Sequence, residues 1–140
     1  MPLIVGLGKA AELARDMLPE YDQKVRSLRD VLEEGILERV PNAELNGHKI
    51  QRLSNTTNLS FHNIESEALL ILLDKEGVRA SSGSACLADS NEPSHVIRAM
   101  KPESVTSQQM LRFSLETGNT TTEVQTALTA VKRAASFLRV

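Results

Sequence analysis

Apolar residues at Leu3, Leu7, Ala10, Ala14, Met17, Tyr21, Val25, Leu28, Leu32 and Ile36 recur at steps of three or four, which places them in one stripe along a helix. Pro19 falls inside this stripe. It lacks an amide hydrogen and crowds the carbonyl four residues back, so a kink near Leu18 and Pro19 is expected. The stripe keeps its phase across the proline, so the pattern predicts a single long kinked helix ending near Val40, ahead of Pro41. Residues 41–47 then read as a turn with a short edge segment, because Asn46-Gly47 is a strong turn dipeptide.

The period changes to two over residues 52–62, where Thr57, Leu59 and Phe61 alternate with Thr56, Asn58, Ser60 and His62; a strand with one apolar face is predicted. Residues 65–76 are apolar almost all round through Leu73, which predicts a buried helix with Gly77 as its left-handed cap. A short strand over 78–80 and a short helix from Glu92-Pro93-Ser94-His95 to Lys101, stopped by Pro102, come next. Leu111, Phe113 and Leu115 make the apolar face of a second clear strand over 110–115. Thr120 and Glu123 form a capping box, opening a helix with Val124, Leu128, Val131, Ala135 and Leu138 inward. Helices packed on a small, mostly antiparallel β-sheet, an α+β domain, is the predicted architecture.

The 140 residues suit one domain, with no stretch that reads as a linker. Sixteen basic against eighteen acidic residues give a net charge of -2 without a one-sign block, so no nucleic-acid face is expected. The longest apolar run, from Ala68 to Leu73, falls far short of the roughly 18 residues of a membrane span. The N-terminus lacks the basic and apolar regions of a signal peptide. A single cysteine makes no internal disulfide and no multi-cysteine zinc site. A cytoplasmic location is therefore expected, where a lone thiol can serve as a reagent.

That thiol, Cys86, follows Ser81-Ser82-Gly83-Ser84-Ala85 and precedes Leu87-Ala88-Asp89-Ser90-Asn91. The stretch has no helix or strand period, and its composition is that of an exposed loop. Cys86 is either a small surface residue or a thiol that must move and be reached; no basic neighbour in sequence lowers its pKa. Arg112, alone between Leu111 and Phe113, is either a salt-bridged edge residue or a bidentate carboxylate anchor. His48, His62 and His95 have no diagnostic spacing to Cys86 or to one another, neither for a Cys-His hydrolase nor for a metal site. Val5-Gly6-Leu7-Gly8 lacks the strand and third glycine of a phosphate loop. The charge-rich run 24–39 reads as a solvated helix face.

Residues 78–86, Val-Arg-Ala-Ser-Ser-Gly-Ser-Ala-Cys, followed by Glu92-Pro93-Ser94-His95-Val96-Ile97-Arg98-Ala99-Met100, resemble the active-site loop of cysteine desulfurases of the NifS/IscS type. Leu28-Arg29-Asp30, Pro41-Asn42, Asn46-Gly47, Asn55-Thr56-Thr57-Asn58-Leu59-Ser60-Phe61 and Leu111-Arg112-Phe113-Ser114-Leu115 resemble the same C-terminal region in order, so the resemblance covers nearly the whole chain. It implies a pyridoxal-phosphate enzyme of the fold-type I, class-V aminotransferase-like group, homodimeric when full-length, that converts L-cysteine to L-alanine. Cys86 would take the sulfur as a persulfide, Arg112 would bind the substrate carboxylate, and an iron-sulfur scaffold or other acceptor protein would receive the sulfur.

With such a partner Cys86 could transiently ligate a cluster; no metal site of its own is implied. The family's cofactor lysine lies in a Ser-x-His-Lys setting, and none of Lys9, Lys24, Lys49, Lys75, Lys101 or Lys132 has that context. Residues 1–140 are thus expected to be a single C-terminal small domain, without cofactor-binding residues and inactive alone. The alternative is a stand-alone persulfide carrier or docking module. Leu87-Ala88-Asp89 and Glu116-Thr117-Gly118 depart from the family's usual wording, which bears on partner preference. The loop's wording leans toward nitrogen fixation over general cluster assembly.

Overall fold

A computed structural model describes residues 1–83, 94–101 and 109–139. Helix α1 spans Pro2–Arg39. Pro19 removes one amide from its hydrogen-bond ladder, yet the helix continues through it as one element. Val40 closes α1 with its amide on the Ile36 carbonyl at 2.9 Å, Pro41 follows, and Asn42 takes φ 58° to turn the chain. Strand β1 is Ala43–Leu45 and β2 is Thr56–Phe61. Helix α2, Ser66–Lys75, ends in the expected glycine cap. Gly77, at φ 75°, sends its amide to the Asp74 carbonyl at 2.9 Å, while Val78 bonds the Leu73 carbonyl at 2.9 Å, the two bonds of a Schellman motif. Helix α3 is His95–Met100, β3 is Met110–Ser114, and α4 is Thr121–Phe137. The Thr120–Glu123 capping box is formed in both directions.

The strands make one antiparallel sheet in the order β1-β2-β3. Leu59 pairs with Leu45 on one side and Leu111 on the other, and Thr57 pairs with Phe113. These positions point to the core, where they meet Val25, Leu28, Leu32 and Ile36 of α1 and Val124, Leu128 and Val131 of α4. Gly35 of α1 lies against Leu128 of α4: a Cβ there would stand 2.7 Å from Leu128 Cδ2. The α+β arrangement read from the pattern is the one the chain adopts.

Four local readings change. The strand over 78–80 is absent: only Ser81 pairs with β3, as an isolated bridge to Arg112, because the chain leaves the α2 cap and touches the sheet for one residue before turning. The strand over 52–62 shortens to β2, since Arg52 is drawn away to Glu33. Helix α2 is half-buried, with Ile71 59% exposed and only Ser66, Leu69 and Leu73 buried. The charged face of α1 is not wholly solvated either: Arg29 is 2% exposed and Glu33 is buried.

Those two α1 charges hold the loop before β2. Arg29 donates to the Leu53 carbonyl at 2.9 Å and pairs with Asp30 at 2.7 Å. Glu33 accepts from Arg52 at 2.7 Å and from the Thr57 hydroxyl at 2.5 Å. Buried ionic groups persist when their partners and hydrogen bonds are in place, and here both are. By contrast, the first twenty residues of the chain, which include the first half of α1, are exposed throughout, with Leu3 at 88% and Leu7 at 72%.

Candidate functional site

Arg112 occupies the middle of β3, flanked on one side by Asn58 of β2 and on the other by Ser81. The Ser81 amide donates to the Arg112 carbonyl at 3.0 Å, and the Arg112 amide donates to the Ser81 carbonyl at 2.7 Å. Residues directly opposed across antiparallel strands share a face. Asn58, Arg112 and Ser81 therefore stand in one polar row on the side of the sheet away from α1 and α4. Asn46 extends the row: its amide donates to the Asn58 carbonyl at 2.9 Å, and its Nδ2 donates to Asn58 Oδ1 and Ser60 Oγ, both at 2.8 Å. Asn58 Nδ2 in turn contacts Met110 Sδ at 3.3 Å.

The Arg112 side chain is exposed. Among the described residues its guanidinium makes no ion pair and no hydrogen bond, whereas Arg26, Arg29 and Arg52 each hold a carboxylate. Arg112 thus lies on the edge strand β3, where the isolated bridge to Ser81 flanks it, and among the described residues its fork of donors is not held by a carboxylate. A planar fork of that kind suits a carboxylate bound through two parallel hydrogen bonds.

Ser81 also shapes the chain beyond the bridge. Its hydroxyl donates to the Gly83 carbonyl at 2.8 Å, and the Gly83 amide lies 3.4 Å from the same oxygen. The described residues stop there and resume at Ser94, which is buried at the start of the short helix α3 without a side-chain capping bond. Cys86 lies outside the described residues, as do Glu92 and Pro93.

The histidines are spread apart. His48 Nδ1 accepts from the amides of Ile50 and Gln51, both at 3.0 Å, and so organises its own turn. His62 Nε2 lies 3.2 Å from Glu44 Oε2, and Lys101 Nζ reaches Glu44 Oε1 at 2.6 Å, tying the end of α3 to β1. The Lys101 hydrogen bond, joined by His62, holds the Glu44 carboxyl below its usual value against a modest opposing effect of burial. His95 is exposed at the start of α3. Among the described residues, no group of three or more His, Cys, Asp and Glu is placed to hold a metal ion. None of their helices is long and apolar enough to cross a membrane.

Ser81 and Asn58 are the site residues that sequence reasoning missed. The usable signal was a hydroxyl two residues before a glycine, an ST-turn pattern. The row itself needs the register of three chain segments, which no local pattern supplies.

A family model described as Aminotransferase class-V matches residues 1–127. The chain is 49% identical over 128 residues to a cysteine desulfurase of Gluconacetobacter diazotrophicus, covering 91% of this chain and 32% of that protein. It is 45% identical over 136 residues to the cysteine desulfurase NifS of Azotobacter vinelandii, covering 97% and 34% respectively. The crystal structure of a NifS-like protein from Rickettsia africae superposes with a TM-score of 0.80 at 28% identity, over 95% of this chain and 34% of that one. The chain thus spans about a third of the length of the relatives it matches.

Proposed function

The chain belongs to the class-V aminotransferase family, where its relatives are cysteine desulfurases, and from that premise we propose that it is the C-terminal small domain of a cysteine desulfurase. The enzyme converts L-cysteine to L-alanine, and the sulfur is left on Cys86. The observation that carries this reading is the two-bond bridge between Arg112 and Ser81. It joins the open carboxylate anchor to the root of the stretch that resembles the family's cysteine loop. Arg112 holds the L-cysteine carboxylate. The Cys86 thiolate attacks the substrate sulfur: an S–S bond forms, the substrate Cβ–S bond breaks with its electron pair left on carbon, and that carbon takes a proton to become alanine. Cys86 ends as a persulfide, one sulfur richer, ready for a thiol or iron-sulfur scaffold partner in the cytoplasm.

Enzymes of this family depend on pyridoxal phosphate, and the residues of this chain do not fit that cofactor. An aldehyde-binding lysine needs a sheltered amine near neutral charge. Here Lys9, Lys24, Lys49, Lys75 and Lys132 are exposed, and Lys101 is engaged by Glu44. The cofactor and its lysine are assigned to the remainder of a longer protein, and no step is routed through them.

The test is alanine formation from L-cysteine by the full-length protein. Cys86→Ser is expected to abolish both alanine release and the added sulfur seen by mass spectrometry on the wild-type peptide. Retained sulfur mobilisation in Cys86→Ser overturns the reading. The surface placement of the lysines favours a second role for the 140 residues alone, that of a persulfide carrier loaded by another enzyme. A sulfur acquired on Cys86 from a separate desulfurase, with no alanine made from L-cysteine, is its signature.

A further inference from the structure

We propose that Asn58 is a further substrate-binding residue, its side-chain amide donating to a carboxylate that Arg112 holds from the side. The inference deepens the reading given above for Arg112 and rests on it. The backbone brings the two side chains together. In an antiparallel ladder the N–H and C=O of one residue point to the same neighbour. Both of those groups on Arg112 are bonded to Ser81, at 2.7 and 3.0 Å, and the C=O of Asn58 is bonded to Asn46 at 2.9 Å. Arg112 and Asn58 are direct partners in the register, so theirs is a pair with no main-chain hydrogen bond between its members. Such pairs have the closer of the two spacings, about 4.5 Å at Cα, with their side chains rising together on one face.

Neighbours orient the Asn58 carboxamide. Its Oδ1 accepts from Asn46 Nδ2 at 2.8 Å. Its Nδ2 has a pair of hydrogens to give. One goes to Met110 Sδ at 3.3 Å, a weak acceptor, and among the described residues the other has no acceptor. Asn58 is half-buried and Arg112 exposed, so this donor lies beside the lower part of the arginine. Nδ2 follows Cγ of its side chain and Nε of Arg112 follows Cδ, so the two donors rise to nearly equal height above the sheet. A carboxylate held end-on by the terminal Nη groups stands beyond the reach of Asn58. One held through Nε and a single Nη sits beside the guanidinium and takes a further, charge-assisted bond from Asn58 Nδ2.

The experiment is steady-state kinetics on the full-length protein. It compares the KM for L-cysteine with the inhibition constant of cysteamine, which has the same amine and thiol but no carboxylate. Asn58→Ala removes the donor and is expected to raise the KM for L-cysteine about ten-fold. The cysteamine constant is expected to stay within about two-fold of the wild type. Asn58→Leu keeps the bulk of the side chain where the shorter variant fails to fold, and is expected to give the same pair of results. An unchanged KM in a folded Ala or Leu variant overturns the proposal. So does a parallel rise of both constants, which marks a general disturbance of the sheet. Arg112→Ala separates the two levels. If it leaves the KM for L-cysteine unchanged, the underlying anchor reading fails; if it raises KM while the Asn58 variants do not, only the role of Asn58 falls.

Discussion

At the scale of single residues, the chain uses its arginines in two opposite ways. Arg29 and Arg52 are enclosed and paired with carboxylates, Arg29 with a carbonyl as well, while Arg112 stands exposed on a strand with its donors open. Arg112→Ala in the full-length protein is expected to raise the KM for L-cysteine about 30-fold, the worth of a charge-assisted hydrogen-bond pair of about 2 kcal/mol. Arg112→Lys should recover only part of this, because an ammonium cannot reproduce the planar fork. Glu33 allows a test by pH. Burial pushes its carboxyl upward, but hydrogen bonds from Arg52 and Thr57, with the charges of Arg52 and Arg29, outweigh this and hold it below its ordinary value of 4.5. A carboxyl lowered by folding stabilises the fold above the ordinary carboxylate range, and that stability drains away as acid protonates it. The melting temperature should therefore fall from about pH 5 to pH 3, and Glu33→Gln should start lower and show a shallower fall.

At the scale of elements, what could be read from the sequence was whatever repeats locally. The α1 stripe, the period-two runs of β2 and β3, the Gly77 cap and the Thr120–Glu123 box each declare themselves within a few residues, and each is present. Burial of Arg29 and Glu33 could not be read that way. Charged residues on a helix normally face water, and the groups that hold these two, Leu53, Arg52 and Thr57, lie nineteen to twenty-four residues away in the chain. The bridge at Ser81 escaped for the same reason: it needs the register of a third segment. Gly35 belongs to this class of contact, silent in sequence and decisive in packing. Gly35→Leu should gain helix propensity yet lose about 2 kcal/mol of stability, since Leu128 already fills that space. Combining it with Leu128→Ala should recover part of the loss, a coupling that a double-mutant cycle in urea can measure.

At the scale of the whole molecule, stability is concentrated in one part of the chain. The core joins α1 from Val25 onward with the sheet, α2 and α4, and the first twenty residues contribute no buried side chain to it. Removing residues 1–18 is therefore expected to change the unfolding free energy by less than about 0.5 kcal/mol, as checked by urea titration of the two chains.

A helix of 38 residues is about 57 Å from end to end, whereas a compact domain of this length has a radius of gyration of about 14 Å. In small-angle scattering the solitary chain should consequently give an asymmetric distance distribution, with a hump for the packed body and a shoulder reaching out from its spar. Rotational diffusion should be anisotropic to match, with the spar's amides relaxing on a schedule of their own.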